Sequence, residues 1–286
     1  MRRLLLAALA AFVLAISTAQ AEPLKVLAAE NFYGDIARQI GGPDVTVTSV
    51  LSNPDQDPHE FEASPSTALA FAKAKVVIYS GADYDPWALK LLSASPSRSR
   101  VVIDVANLAR KKAGDNPHIW YQPDNVLLLA RDLADQLSKL DPAHAADYRQ
   151  RLTTFERSMQ PLAARISELR RKYAGTPVTA TEPVFGYMAA ALGLDMRNPR
   201  FQLAVMNDTE PSAADIAAFE QDLRSHAVKV LIYNRQTSDA LTRHMREIAQ
   251  QSEIPVVGVT ETEPAGKDYQ EWMRSQLDAI DRALAR

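Results

Sequence analysis

Four short apolar, β-branched runs occupy the first half of the chain, at residues 25–29 (KVLAA), 45–51 (VTVTSVL), 76–81 (VVIYSG) and 101–105 (VVIDV). The segments between them place apolar residues three and four apart. Continuous apolar runs alternating with helical periodicity predict parallel strands buried on both faces, joined by crossover helices. A second set follows at residues 177–181 (PVTAT), 202–206 (QLAVM), 228–234 (VKVLIYN) and 255–259 (PVVGV). Two groups of four such units imply an α/β fold of two doubly wound parallel-sheet lobes. Residues 141–175 lie between the groups. Asp141 with Pro142 is a helix start and Gly175 a stop, and Tyr148, Leu152, Phe155, Met159, Leu162, Ile166 and Leu169 recur on one face. One long helix of about 30 residues, about 45 Å end to end, is expected there as a rigid link, kinked at Pro161. The expected organisation is a lobe over 22–140, the linking helix over 141–175 and a second lobe over 176–286.

Residues 1–21 change the picture of where this fold resides. Arg2 and Arg3, an apolar run over 4–16, and Ala19 and Ala21 in a small-x-small pattern form a secretory signal peptide, with cleavage expected after Ala21. The run is too short to span a membrane. With no cysteine near that point, an exported, freely soluble periplasmic protein is expected rather than a lipoprotein. The whole chain has no cysteine, so no disulfide stabilises it. Its 32 basic residues against 35 acidic ones, with Arg2 and Arg3 among those removed, argue against nucleic acid or an anionic membrane surface as a partner.

Candidate chemistry concentrates at four positions. His59 in DPHEFE and His118 in DNPHIW share one local setting, and they are two of only five histidines. Glu182 follows PVTAT and Glu261 follows PVVGVT. In open α/β sheets ligands collect beyond the carboxyl ends of the strands. If the lobes face one another, all four side chains converge on a metal site in the interlobe cleft. Two imidazoles and two carboxylates suit Mn²⁺, Fe²⁺ or Zn²⁺. The plainer alternatives are hydrogen-bonded loop histidines and helix-capping roles for Glu182 and Glu261. Asp55, Asp57, Glu60 and Glu62 read as solvated loop acids, and His144, His226 and His244 as structural. Thr209 and Ser212 stand near a helix start, where capping is the expected role. Trp120, Tyr121 and Phe185 are expected to line the cleft. No GxSxG elbow, HExxH helix or nucleophilic cysteine is present.

The blocks NPDQDPHEFEASPSTALAFAKAKVVIYSGADYDPW, DNPHIWYQPDNVLLLARDLADQL with DPAHAADY, ATEPVFGYMAAALGL, NDTEPSAADIAAFEQDL and IPVVGVTETEPAGKDYQEWMRSQLDAI together resemble the metal-binding solute-binding proteins of bacterial zinc and manganese ABC importers. The resemblance implies two α/β lobes joined by one long helix with metal between them. It implies His59 and His118 as the first two ligands, and Glu182 at the third position, a histidine in many zinc importers and a glutamate in many manganese ones. The fourth is usually aspartate; Glu261 stands there, with Glu263 as its rival. The stretch from His59 to His118 lacks the histidine-rich loop of dedicated zinc binders, which with Glu182 leans the cargo toward Mn²⁺ or Fe²⁺. The implied partners are a membrane permease and its cytoplasmic ATPase, served by a monomer. The rival is a periplasmic metal-dependent hydrolase with an incomplete ligand shell. A third reading is a metal-independent binder of a small organic solute.

Overall fold

The computed structural model describes residues 22–53, 58, 61–237 and 239–286. The signal-peptide expectation for residues 1–21 and the expectations for His59, Asp55, Asp57 and Glu60 lie outside the described residues.

The first lobe runs β1 (Leu24–Glu30), α1 (Asn31–Gly41), β2 (Val45–Leu51), α2 (Pro65–Lys73), β3 (Val76–Tyr79), α3 (Pro86–Ala94), β4 (Val101–Asp104), α4 (Val105–Leu108) and α5 (Pro123–Leu140). Its parallel sheet has the order β2-β1-β3-β4. Helices α6 (Ala145–Ser158) and α7 (Gln160–Tyr173) follow. The second lobe comprises β5 (Pro177–Ala180), α8 (Gly186–Ala191), β6 (Asp195–Arg197), α9 (Pro199–Met206), α10 (Ala213–Arg224), β7 (Leu231–Asn234), α11 (Ala240–Gln251), β8 (Val256–Val259) and α12 (Tyr269–Leu284), with sheet order β6-β5-β7-β8. The two lobes thus repeat one strand order. Central strands β1 and β3 are buried on both faces because their residues are largely apolar, whereas edge strand β2 alternates toward solvent. In each sheet the order reverses between the first and third strands, β1 and β3 in one lobe, β5 and β7 in the other. A crevice forms at such a reversal.

One expected strand is a helix. Residues 202–206 belong to α9, and the edge strand is the short, polar β6. Pro199 occupies the first turn of α9, where its missing N–H costs nothing. Phe201 and Val205, four apart, pack on the same cluster as Phe219 and Leu223 of α10, while Leu203 faces solvent. The apolar run is therefore one face of a helix.

The long helix is present in two segments that meet at Met159. Pro161 removes one amide donor and clashes with the preceding turn, so the chain restarts its helix at Gln160 with proline in the first turn. Segment α6 packs on α1 and α5, and Arg151 on it reaches the Gly41 carbonyl (2.6 Å) and Asp44 (2.7 Å). Segment α7 packs on α12, where Arg165 pairs with Asp278 (2.9 Å) and Asp281 (2.8 Å). Each half of the link is fused to its own lobe. A single core cluster then runs through both lobes. Its middle is aromatic: Trp120 stacks on Phe32 at 4.6 Å, and Tyr121 meets Phe185 at 5.8 Å and Trp272 at 5.9 Å.

Candidate metal centre

The carboxyl ends of the two sheets meet, and the side chains placed there come from turns that follow strands. His118 follows Pro117, which confines the chain before it to an extended path, and stands just ahead of the 3-10 turn Ile119–Tyr121. It is completely buried. The Asn116 side-chain oxygen accepts from the His118 backbone N–H (3.1 Å) and from its Nδ1–H (2.8 Å). With the proton on Nδ1, Nε2 presents a lone pair. That atom has no hydrogen-bond partner among the described residues and stands 3.5 Å from Glu261 Oε2. A buried nitrogen left in this condition costs free energy unless something else occupies its lone pair.

Glu182 lies two residues beyond β5, held extended (φ −144°, ψ 160°) ahead of Pro183. Glu261 lies two residues beyond β8 and is fully buried. Neither makes the capping bond of the plainer expectation: Glu182 precedes a 3-10 turn without a side-chain cap, and Glu261 precedes no helix. The two carboxylates are joined by Asn234 at the end of β7. Its Nδ2 donates to Glu261 Oε1 (2.5 Å) and approaches Glu182 Oε2 (3.3 Å). Tyr84 donates its hydroxyl to Glu261 Oε2 (2.9 Å), and the Glu261 backbone N–H donates to Gln236 Oε1 (2.6 Å). Burial first, and the Glu261 carboxylate second, push the Tyr84 phenol well above its ordinary pKa, so it remains a donor.

The structure separates the two glutamates of the TETEP stretch. Glu261 faces His118, whereas Glu263 faces Asp35 and Arg38 of α1, and burial pushes its carboxyl up to about 9. Asn31 grips the Glu263 backbone twice: its side chain donates to the carbonyl (2.7 Å) and accepts from the N–H (3.0 Å). Two further contacts tie the lobes across the cleft. Asn116 donates to the Pro183 carbonyl (2.7 Å), and the Tyr121 hydroxyl donates to the Thr260 carbonyl (2.6 Å).

His118, Glu182 and Glu261 are thus brought into one buried, hydrogen-bonded neighbourhood. By themselves, the described residues contain no group of three or more His, Cys, Asp or Glu side chains that could hold a metal ion. Trp120 packs edge-on against His118 (5.4 Å) and Tyr84 (4.7 Å), Phe185 packs on Tyr121 (5.8 Å), and all three aromatic residues of the expected lining are buried. The three remaining described histidines lie elsewhere: His144 bonds Asp141 (2.6 Å), His244 bonds Glu220 (3.2 Å), and His226 takes a left-handed turn after α10. Ser212 caps α10, accepting from the Asp215 N–H. Glu62 is exposed. Asn116, Asn234, Gln236 and Tyr84 are not singled out by the sequence, because a neutral amide or phenol beside a strand end carries no pattern of its own. Asn116 stands inside the DNPHIW motif and is the one within reach.

Two repeated α/β lobes with a buried imidazole and carboxylates between their facing sheet ends define the class: a two-lobed binding protein with its site at the junction. The chain belongs to the family of ZnuA, the periplasmic component A of the zinc-uptake complex, whose profile matches residues 26–283. A curated relative, the manganese ABC transporter substrate-binding lipoprotein PsaA of Streptococcus mitis, is 25% identical, over 94% of this chain and 91% of that protein. Among solved structures, the periplasmic zinc-binding protein TroA from Treponema pallidum superposes with a TM-score of 0.79 at 18% identity, covering 93% of this chain and 100% of that one. The Mn-bound periplasmic metal-binding protein from Candidatus Liberibacter asiaticus gives a TM-score of 0.71 at 19% identity, covering 91% of this chain and 99% of that one. These two establish likeness of fold.

Proposed function

We propose that the protein captures a divalent transition metal, Mn²⁺, Zn²⁺ or Fe²⁺, in the periplasm and delivers it to the permease of an ABC importer driven by a cytoplasmic ATPase. His118 and His59 supply nitrogen, and Glu182 and Glu261 supply oxygen. The observation that carries this is the His118 imidazole, buried with Nδ1–H committed to Asn116 and Nε2 directed toward Glu261 with no hydrogen-bond partner among the described residues. A ligating histidine has this arrangement, since its second nitrogen is held by a partner that fixes the tautomer. Two carboxylates offset the charge of a divalent ion, and nitrogen with oxygen suits the three metals named. A site that takes all four ligands from the protein holds its cargo without an open position for a nucleophilic water, so the protein acts as a binder rather than a hydrolase.

The lobes are delimited at 22–140 and 176–286 with the link at 141–175, and the working unit is a monomer. Curated relatives are named as lipoproteins, whereas this chain has no cysteine to carry a lipid, so the protein is read as exported and unanchored. Calorimetric titration of the metal-free protein with Mn²⁺ and Zn²⁺ tests the reading. Binding of one ion per chain, weakened about 100-fold or more in His118→Ala, is expected. Wild-type affinity in that variant would remove His118 from the site, and ester or phosphate turnover abolished by chelator would favour a hydrolase.

A further inference from the structure

Glu30 ends β1 at the reversal point of the first sheet, fully buried, and neither of its carboxyl oxygens meets a conventional donor among the described residues. The β1–β3 register, two residues on from the Ala28–Ile78 pair, sets Glu30 level with Ser80, whose backbone N–H is held by the Asp85 carboxyl group, so the two acids act on each other there. Asp85, also buried, accepts the backbone N–H groups of Ser80 (2.6 Å) and Gly81 (2.8 Å). Two carboxylates side by side in a dry setting do not both ionise. With two amide donors Asp85 keeps the charge, and Glu30 keeps the proton. Burial pushes both groups up, Asp85 to about 6 and Glu30 well beyond the usual carboxylate range.

The segment this pair holds is unusual. Gly81, Ala82 and Asp83 all have left-handed backbone (φ 75°, 49° and 66°), which side-chain-bearing residues adopt only when anchored. The turn ends at Tyr84, whose hydroxyl reaches Glu261 in the other lobe. We propose that Glu30 is a positioning residue: as a neutral carboxylic acid it donates to Asp85, and the pair braces the 81–84 turn so that Tyr84 is held on Glu261. This rests on the role given to Glu261 above. Among the described residues, the groups facing the pair are the phenols of Tyr33 on α1, Tyr79 on β3 and Tyr84, with Glu261 beyond Tyr84, Asp104 beside Tyr79 and Tyr269 on α12 beside Tyr33. These are phenols and acids, so none offers the pair a countercharge. Because the Glu30 proton is bound more tightly in the folded protein, the brace holds while that proton is in place and is lost as pH rises.

Infrared spectroscopy of metal-free protein and Mn²⁺ titrations of wild type, Glu30→Ala and Glu30→Gln test this. At neutral pH the difference between the wild-type and Glu30→Gln spectra is expected to show one protonated carboxylic acid band beyond the one Glu263 contributes to both; its absence from the difference overturns the proposal. Glu30→Ala is expected to bind Mn²⁺ about tenfold more weakly, with Glu30→Gln recovering most of the loss and, unlike wild type, holding its affinity as pH is raised. Wild-type affinity in Glu30→Ala, or the same alkaline decline in Glu30→Gln and wild type, overturns the positioning role. If Glu30→Ala does not fold, the Glu30→Gln pH profile decides. Wild type that takes up neither Mn²⁺ nor Zn²⁺ overturns the metal reading and the positioning role with it, while the infrared band still reports the shared proton separately.

Discussion

At the scale of single residues, the site depends on neutral partners as much as on charged ones. Asn116 fixes the His118 ring through Nδ1 and, with its amide nitrogen, holds the Pro183 carbonyl next to Glu182. Removing an outer partner of this kind typically weakens metal binding about 10- to 100-fold. Asn116→Ala is therefore expected to lose affinity within that range while keeping its fold, as read by Mn²⁺ titration beside circular dichroism; unchanged affinity would mean that the His118 ring is held by packing alone. Glu182 and Glu261 are legible in the sequence because each stands just beyond a predicted strand, and His118 because its setting repeats that of His59. Their partners are not legible. Asn234 joins Glu182 and Glu261, which are far apart in the chain, a contact that only the folded topology creates. Glu30 reads as the end of a strand, since nothing in its neighbours announces Asp85.

At the scale of elements, strand positions follow from apolar runs with one exception, residues 202–206, a run too short to separate period two from period 3.6. The phase of Pro199, Phe201 and Val205 is the available signal. Pro161 is legible as an interruption, and the structure adds its consequence: two helices, each bolted to one lobe. The bolt on the second lobe is Asp281, which accepts from Tyr173 (2.6 Å) and pairs with Lys172 (2.9 Å) and Arg165 (2.8 Å). Those contacts, the Tyr173 hydroxyl foremost, hold its carboxyl well below the ordinary range. A depressed carboxylate stabilises the fold above its unfolded value of about 3.9 and loses that contribution as pH falls below it. Asp281→Asn is expected to cost about 1 kcal/mol near neutral pH, allowing for solvent screening. The difference from wild type should close in acid, measured by urea unfolding at several pH values. A cost that persists unchanged below about pH 3 would contradict an electrostatic origin.

At the scale of the whole molecule, one core runs through both lobes, and residues of α12 occupy its middle. Trp272 is buried against Phe32, Tyr121 and Tyr269, and its indole N–H donates to Thr260 (3.0 Å), just before Glu261. Lobes joined this way are expected to unfold together. Tryptophan fluorescence and far-ultraviolet circular dichroism should trace one coincident thermal transition. Trp272→Ala should lower stability by about 3–5 kcal/mol. Two separated transitions in the wild type would show that the shared core does not couple the lobes. The same coupling fixes Glu261, whose loop belongs to the second lobe yet is gripped by Tyr84 and Asn31 of the first. The two-lobed architecture is legible from the repeated groups of strands; the shared aromatic middle is not, because Trp272 stands far along the chain from Trp120 and Tyr121, which read as cleft lining, and nothing in its neighbours announces that contact.

The central claim is that this junction holds a transition metal. Its most direct test is elemental mass spectrometry on untagged protein isolated from the periplasm, beside a His59→Ala/His118→Ala variant that retains its circular dichroism spectrum. The account predicts close to one manganese, zinc or iron per wild-type chain and none in the variant. A metal-free wild type whose melting temperature also ignores added Mn²⁺, Zn²⁺ and Fe²⁺ would contradict it.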